Sequence, residues 1–223
     1  MASQPAKNAT AELTLTEFLS LDGVSQAPGG PAEDTSGDFR HGGWVVPHFD
    51  ADMGSAMTDI FSKARAFLLG RRTYDIFACH WPHVTDPGDS IARALNTLPK
   101  FVASRSVSEF TWQGTTAIRN VAEEVAALKA RLSGELQVHG SADLAQTLVE
   151  HDLIDEYRLA TFPVLLGSGR RLFNRNAVPS TMKLVKSHTT SNGVVFSVYR
   201  RAGRLTTGNV ILQDDGTYRM ESA

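Results

Sequence analysis

The sequence has a single cysteine and no long apolar run. Cys79 stands alone among 223 residues, so an internal disulfide is excluded and a cysteine-based metal site is not expected. No stretch reaches the roughly 20 apolar residues of a membrane-spanning helix. Residues 1–10 are polar and lack the apolar core of a signal peptide, so we expect a mobile N-terminal tail, no membrane partner and a cytoplasmic location.

Positive and negative charges nearly balance, with 22 Lys and Arg against 24 Asp and Glu. The net charge of −2 offers no electrostatic reason to bind nucleic acid. The seven histidines show no metal-ligand spacing, so no metal site is predicted. A Gly-x-Ser-x-Gly element and a Walker loop are both missing, which disfavours a hydrolase and a nucleoside triphosphatase. The length and the composition are typical of one globular domain.

The hydrophobic pattern predicts an α/β fold. Apolar strands near 11–19, 66–69, 100–104, 115–118 and 135–138 alternate with helices, the first of which follows the spacing of Met53, Met57, Ile60, Phe61 and Ala64. Strands without helices follow Ile154, and one of them is expected over 162–166. This order indicates a mostly parallel central sheet with an antiparallel C-terminal edge and helices on both faces. We expect one domain over residues 11–200. Residues 201–223 form an extension, either a hairpin turning at Asp215-Gly216 or a loosely held tail.

Two segments show no clear periodicity. Residues 20–47 are rich in glycine and proline, which is typical of a functional loop or of disorder, and Phe39 and Trp44 favour the loop. Residues 79–99 hold Trp81-Pro82 and are expected to be irregular. The three aromatic side chains are candidates for the walls of a substrate site. Packing of these loops against the core explains them equally well.

Three predicted strands end in a similar way. Gly70-Arg71-Arg72-Thr73, Ser104-Arg105 and His139-Gly140-Ser141 each follow an apolar strand with small, hydroxylic or cationic residues. Ligands of open α/β sheets bind at the carboxyl ends of the strands. A helix start beside guanidinium groups suits a phosphate. The pattern therefore predicts a phosphorylated cofactor, although each element alone is also typical of an ordinary helix cap or turn.

The order of motifs resembles the dihydrofolate-reductase-like superfamily. Within it, the chain is most similar to stand-alone proteins resembling the C-terminal reductase domain of the riboflavin-biosynthesis deaminase–reductase. The resemblance implies a three-layer dihydrofolate-reductase-like fold over about residues 11–200, and a homodimer. It rests on Ser20-Leu-Asp-Gly23, Leu69-Gly-Arg-Arg-Thr-Tyr74, Leu98-Pro-Lys-Phe-Val102 with Ser104, His139-Gly-Ser141, Leu153-Ile-Asp-Glu-Tyr157 and Pro163-Val-Leu-Leu-Gly-Ser-Gly169 with Leu172-Phe173.

The same resemblance implies NADPH as cofactor. Arg71 would hold the 2′-phosphate and Thr73 would lie at the pyrophosphate, and the two adjacent arginines suit NADPH better than NADH. Ser104-Arg105 would lie on the adenosine side, and residues 140–142 at the pyrophosphate. The predicted cofactor-binding residues are Gly23, Gly70, Arg71, Arg72, Thr73, Ser104, Arg105, His139, Gly140, Ser141 and Ala142.

The substrate side is expected near Asp22, which is the predicted catalytic residue and polar anchor. Trp44-Val-Val-Pro47 is similar to the Trp-x-x-Pro of true dihydrofolate reductases. However, Phe49 occupies the position of their substrate carboxylate, and Asp50 and Asp52 follow it closely. The predicted substrate-binding residues are Asp22, Phe39, Trp44, Phe49, Trp81, Gly167 and Gly169.

These inferences predict an NADPH-dependent reductase. It would transfer a hydride to a small heterocyclic, carbonyl or imine substrate, similar to 5-amino-6-(5-phosphoribosylamino)uracil reductase. Two alternatives remain open. One is a nucleotide-binding protein of the same fold without turnover. The other is a true dihydrofolate reductase in which Asp50 or Asp52 supplies the missing acid.

Overall fold

A mixed eight-stranded sheet forms the centre of the protein. The computed structural model describes residues 10–107, 109–173 and 178–222. The strands are β1 (Glu12–Ser20), β2 (Ala64–Gly70), β3 (Lys100–Ala103), β4 (Thr115–Ile118), β5 (Glu135–His139), β6 (Glu156–Phe162), β7 (Ser180–Thr189) and β8 (Val195–Arg204). Their order is β4-β3-β2-β5-β1-β6-β8-β7. The first six are parallel, and β8 pairs antiparallel with both β6 and β7. The predicted parallel sheet with an antiparallel edge is confirmed.

Helices cover both faces of this sheet. They are α1 (Ala51–Ser62), α2 (Arg71–His80), α3 (Ser90–Thr97), α4 (Val121–Arg131) and α5 (Ala142–Glu150). Side chains of α1–α3 share one apolar core with Phe67 and Leu69, whereas those of α4 and α5 share a second core with Ala66 and Leu68. Alternate residues of β2 thus face opposite layers, as a strand buried on both faces requires. Within the described ranges, no helix is both long and apolar enough to cross a membrane.

The chain changes direction across the sheet at β1 and β5. From β1 it builds β2, β3 and β4 on one side, then returns through β5 and continues to β6 on the other side of β1. Strand β5 pairs with β1 only as far as His139 opposite Thr16, whereas β6 follows β1 to Ser20. The carboxyl edge between β1 and β5 is therefore open. Such switch points are where open α/β sheets bind ligands.

Residues 20–47 form a folded loop rather than a disordered one. The Trp44 indole Nε1 donates to the Gln26 carbonyl over 2.8 Å, and Gly43 N donates to the Ala27 carbonyl at 2.8 Å. Phe39 and Trp44 are both buried. The loop is anchored by these side chains even though its backbone lacks regular structure, apart from 3₁₀ turns at Ser36–Asp38 and Val46–His48.

Three expectations about secondary structure are wrong. Residues 79–99 are largely helical, because α2 continues to His80 and α3 follows, capped by the Asp89 carboxylate that accepts from Ile91 N and Ala92 N. The signal for α3 was present, because Ile91, Ala94, Leu95 and Leu98 have the helical spacing i, i+3, i+4 and i+7 and pack in one core. The strand expected over 162–166 does not form, because β6 ends at Phe162 and Pro163 has no N–H to donate to a sheet. Ala64, assigned to the first helix, begins β2.

The C-terminal residues form a separate hairpin. Strands β9 (Gly208–Leu212) and β10 (Tyr218–Ser222) pair antiparallel around the turn that contains Asp215-Gly216. Gln213 N donates to the Thr217 carbonyl at 2.8 Å and closes the loop. Every residue of both strands is exposed to solvent.

Candidate functional site

A cavity of about 930 Å³ opens at the carboxyl edge of the sheet. We call it the main cavity. Its wall is formed in part by the ends of β2, β3, β4 and β5 and by the first turns of α2, α4 and α5. Ten of the eleven predicted cofactor-binding residues line it, and Gly23 lies outside. The ten are Gly70, Arg71, Arg72, Thr73, Ser104, Arg105, His139, Gly140, Ser141 and Ala142.

Three helices begin at this cavity without a side-chain cap. The N-cap residues of α2, α4 and α5 are Gly70, Asn120 and Ser141, and none of them uses a side chain to cap its helix within the described structure. By contrast, α1 and α3 are capped by Asp50 and Asp89. Uncapped helix starts present free N–H groups and the positive end of the helix dipole. The three starts together make a wall suited to a phosphorylated ligand.

Ser141 holds two strand ends together. Its hydroxyl accepts a hydrogen bond from Gly70 N at 2.9 Å and donates to the His139 carbonyl at 3.2 Å. Gly140 and Ser141 both have left-handed backbone conformations, with φ of +56° and +65°. Because the Ser141 side chain is used within the protein, residues 140–142 can offer a ligand their backbone N–H groups.

Four arginines surround the phosphate-suited wall. Arg71 and Arg72 are 41% and 58% exposed, and they form ion pairs of 2.8 Å with Asp75 and 3.4 Å with Asp34. Arg105 and Arg119 follow the ends of β3 and β4 and also line the cavity. The Arg119 guanidinium donates a hydrogen bond to the Arg105 carbonyl. Arg119 was not among the residues predicted from the sequence. The signal was present, because Arg119 stands at the end of a predicted strand, as Arg71 and Arg105 do.

His139 forms part of the wall as a neutral side chain. Its ring stacks on Phe61 with centroids 4.2 Å apart, and its Nε2 lies 3.0 Å from the Gln137 Oε1 atom. Burial, and to a smaller extent the positive charge of Arg158, lowers the pKa of His139 to about 3. Because Gln137 Nε2 donates to the Ile60 carbonyl, its Oε1 atom accepts the hydrogen bond from the imidazole Nε2–H.

The predicted substrate residues are divided by the structure. Phe49 and Trp81 line the main cavity. Phe39, Trp44, Gly167 and Gly169 do not. A Cβ atom on Gly169 would lie 2.9 Å from the Phe39 ring, so Phe39 packs against the loop backbone. For Phe39 and Trp44, the structure matches the alternative of loop packing.

Asp22 also lies outside the main cavity. Its carboxylate accepts hydrogen bonds from Ser20 Oγ at 2.7 Å, Leu166 N at 3.1 Å and Gly167 N at 2.9 Å. The bond from Ser20 first, and then those from the two backbone groups, lower the pKa of Asp22 to about 2. An ionised carboxylate that is held by a loop is an anchor for that loop and a poor proton donor.

The two acids beside Phe49 are likewise used within the protein. Asp50 accepts from Met53 N at 2.9 Å as the cap of α1, and from Ser191 Oγ and Asn192 N. The bond from Met53 N is the main reason that its pKa falls to about 2. Asp52 accepts from Ser191 N at 3.0 Å. Neither carboxylate lines the main cavity, although Phe49 does.

Four polar residues that were not predicted from the sequence line the cavity and carry a buried unpartnered atom. These atoms are Thr16 Oγ1, Glu17 Oε2, Ser25 Oγ and Arg170 Nε, which have no hydrogen-bond partner within the described part of the chain. Glu17 is 3% exposed. Burial, reinforced by the nearby charge of Glu33, raises the pKa of Glu17 to about 8. The signal was a charged residue that interrupts the alternation Leu13, Leu15, Leu19 of β1.

Residues 11–196 match the family described as the RibD C-terminal domain. The chain belongs to this family. The matched range begins just before β1 and ends just inside β8, so the RibD C-terminal domain comprises nearly the whole sheet and the main cavity. The hairpin β9-β10 lies beyond it. Membership supports a reductase-type function.

Two Bacillus subtilis (strain 168) proteins are relatives by sequence. The uncharacterised protein YyaP is 30% identical over 187 residues, which cover 83% of this chain and 92% of YyaP. The uncharacterised protein YwjB is 25% identical over 166 residues, which cover 74% of this chain and 84% of YwjB. These names assign no activity, so the RibD C-terminal domain match defines the family and leaves the reaction open.

Solved structures share the fold at low sequence identity. A protein from Shewanella sp. PV-4, provisionally assigned to riboflavin biosynthesis, aligns with a TM-score of 0.64 at 23% identity, over 86% of this chain and 99% of that one. A pyrimidine reductase-like protein from Corynebacterium diphtheriae aligns with 0.57 at 14%, over 86% and 92%. Dihydrofolate reductase from Enterococcus faecalis, complexed with NADP(H) and RAB-propyl, aligns with 0.55 at 13%, over 85% and 96%. The predicted dihydrofolate-reductase-like fold is confirmed.

Proposed function

We propose that this protein is an NADPH-dependent reductase that transfers a hydride to a small heterocyclic, carbonyl or imine substrate. The observation that carries the proposal is the wall of the main cavity, where three uncapped helix starts meet four arginines. Such a wall suits a ligand with several phosphate groups. The RibD C-terminal domain family and the reductase-like neighbours supply the reaction type.

The residues present fit a dinucleotide with a 2′-phosphate. A cavity of about 930 Å³ lies within the range of cofactor and small-molecule sites. In the proposed complex, residues 140–142 and Thr73 hold the pyrophosphate. Arg71 and Arg72 hold the 2′-phosphate, and Ser104 with Arg105 and Arg119 flanks the adenosine.

The rest of the cavity would hold the substrate. A bound reduced nicotinamide supplies the hydride, and the protein binds, orients and excludes water. Phe49 and Trp81 provide apolar walls for a planar group. Neutral His139 adds a third flat surface, since its ring already stacks on Phe61.

Calorimetric titration with NADPH and NADH tests the proposal. We expect NADPH to bind more tightly than NADH, and Arg71→Ala to remove most of that preference. Arg93→Ala, on the exposed face of α3, is the matched control and is expected to leave both affinities unchanged. Absence of NADPH binding at high micromolar cofactor would contradict the proposal.

Two other functions are separated by turnover assays. Binding of NADPH without its oxidation by any pterin, pyrimidine, aldehyde or imine would favour a nucleotide-binding protein. Turnover of dihydrofolate would favour a true dihydrofolate reductase. The geometry disfavours the latter, because Asp50 and Asp52 bind the Ser191–Asn192 turn instead of facing the cavity.

We also propose that two copies of the chain associate through the C-terminal hairpin. Val210 faces Met220 and Leu212 faces Tyr218 across the two strands, so these four side chains share one face. Their exposed fractions are 58%, 83%, 63% and 72%. An isolated two-stranded hairpin is only marginally stable in water, and a second copy covering its apolar face would stabilise it.

Light scattering tests this association. We expect a dimer from the full chain and a monomer from Val210→Asp combined with Met220→Lys. Arg219→Ala, on the opposite face of the hairpin, is the control that keeps the dimer. A monomeric wild-type protein at micromolar concentration would contradict the proposal.

A further inference from the structure

Glu17 lies at the open part of the sheet. Strand β5 stops at His139 opposite Thr16, so β1 continues through Glu17 with only β6 beside it. By the alternation of the strand, the Glu17 side chain is on the same face as Leu15 and Leu19, which pack with α4 and α5. A carboxyl group here replaces an apolar side chain within that core, at the wall of the main cavity.

The buried polar atoms around this position lack partners. Thr16 Oγ1, Glu17 Oε2, Ser25 Oγ and Arg170 Nε belong to residues that line the cavity and, in the described ranges, make no hydrogen bond. Each such atom destabilises the folded protein, because it has lost water without gaining another partner. Arg170 is held in place by Asp34 and Ser36 through its other nitrogens. A polar ligand in the cavity would give these atoms hydrogen-bond partners.

Resting on the reductase function proposed above, we infer that Glu17 is the catalytic acid of this protein and that its substrate is a C=N or C=O compound whose nitrogen or oxygen accepts a hydrogen bond from the Glu17 carboxyl group. Ser25 would bind the substrate beside that atom. The acid would thus stand on β1, whereas Asp50 and Asp52 at the start of α1 hold the Ser191–Asn192 turn.

The proton and electron balance requires such an acid. Hydride addition to the carbon of the C=N or C=O bond moves the π electron pair onto the nitrogen or oxygen. The Glu17 proton passes to that atom, which yields an amine or alcohol. The carboxylate that remains takes a proton from water before the next turnover. The reduced nicotinamide is the reductant and leaves oxidised.

The charges around Glu17 keep its carboxyl group protonated near neutral pH. Burial is the first cause, and the negative Glu33 on the 25–34 loop adds to it. The Glu33 carboxylate accepts from Gly29 N and Gly30 N at 2.6 and 3.1 Å, so it is committed to that loop. Other titratable or charged groups lining the cavity are Asp34, Arg71, Arg72, Arg105, Arg119, His139, Asp143, His151 and Arg170.

Carboxyl ¹³C NMR of glutamate-labelled protein without added ligand gives a test that does not depend on activity. We expect one resonance that titrates near pH 8, far above the ordinary glutamate pKa of 4.5. This resonance should disappear in Glu17→Gln and persist in Glu150→Gln, where the substituted residue is exposed at the end of α5. Titration of every glutamate near the ordinary value would overturn the inference.

Steady-state kinetics provide the second test. NADPH oxidation is followed with a panel of aldehydes, ketones and cyclic imines as acceptors. For the best acceptor we expect Glu17→Gln to lower kcat by about 10²–10⁴-fold, with NADPH affinity unchanged. A Glu17→Gln variant that keeps the wild-type kcat would overturn the role of Glu17.

The two proposals fail in different ways. If wild-type protein does not bind NADPH, the reductase function fails, and the catalytic role of Glu17 fails with it. If NADPH binds but no glutamate titrates near pH 8, only the inference about Glu17 fails. If Glu17→Met raises the thermal midpoint and abolishes turnover while NADPH still binds, the buried acid is retained for function at a cost in stability, as we infer.

Discussion

Replacing Glu17 by glutamine should change how the stability of this protein depends on pH. The side chain is 3% exposed, and its buried Oε2 atom has no partner within the described structure. In the folded state its pKa is raised to about 8 from the ordinary value of 4.5, first by burial and then by Glu33. An acid whose pKa is raised by folding contributes stability that is fully present at a pH below its pKa in the unfolded chain. That contribution is lost as the pH rises toward the pKa of the folded state.

The expected magnitude follows from proton linkage. Between pH 4.5 and 8 the unfolded chain releases the Glu17 proton while the folded protein keeps it. The free energy of unfolding therefore falls by about 1.4 kcal/mol for each pH unit, and by about 5 kcal/mol across this window. Glutamine does not titrate, so Glu17→Gln should gain stability relative to wild type by the same amount.

Urea unfolding at several pH values between 5 and 8 provides the measurement. The difference in free energy of unfolding between variant and wild type cancels the titration of other groups, and its slope is the quantity of interest. Glu150→Gln, at an exposed position, should show no such slope. A constant difference between Glu17→Gln and wild type across this range would refute the reasoning.

Three further predictions concern the wall of the main cavity, and a fourth concerns α1. Arg71→Ala should weaken NADPH binding by about 10–100-fold in calorimetry and leave NADH binding nearly unchanged. The substitution removes a charge-assisted hydrogen bond to the 2′-phosphate, which NADH lacks. Equal losses of affinity for both cofactors would contradict this prediction. His139→Gln should remove part of the acid sensitivity. Because burial lowers its pKa to about 3, the imidazole of the folded wild-type protein stays neutral, whereas the unfolded chain takes up a proton below about pH 6.5. The free energy of unfolding of the wild type therefore decreases by about 1.4 kcal/mol for each unit by which the pH is lowered below 6.5. Parallel acid unfolding curves would contradict this. Gly140→Ala should lower the free energy of unfolding by about 1–2 kcal/mol, because φ at this position is +56°. No steric clash adds to this strain, since the atom nearest to an added Cβ, Thr73 Oγ1, is 3.7 Å away. Gly54→Ala, inside α1 with open space around it, should instead raise it by up to about 1 kcal/mol in the same chemical denaturation assay.

The phosphate-suited wall was predictable because its determinants are local. Each strand that ends in a glycine, serine or arginine and continues into a helix carries its own signal in a few consecutive residues. In parallel strands these ends meet at one edge, so the segments at Gly70, Ser104 and Gly140 could be grouped from the pattern alone. All nine residues of these strand-end segments, 70–73, 104–105 and 139–141, line the cavity.

The substrate side could not be inferred in this way. The aromatic residues of the 20–47 loop can either line a cavity or pack the loop, and composition does not distinguish the two. Phe39 and Trp44 pack the loop because hydrogen bonds and close contacts with distant residues hold it there. Asp22 is directed away from the cavity by Leu166 N and Gly167 N, which are 144 and 145 residues away in sequence.

The amino-acid sequence alone determined the α/β class, the order of the strands along the chain and the arginine-rich strand ends, because periodicity and helix starts depend on neighbouring residues. Tertiary structure decided which carboxyl group could act as an acid. Asp22 and Asp50 are ionised by the hydrogen bonds that they accept, whereas Glu17 is kept protonated by burial beside Glu33. A pKa depends on the groups that surround a side chain in space, and for Glu17 those groups are brought together only when β5 ends before β1 and the loop of residues 25–34 folds over the gap.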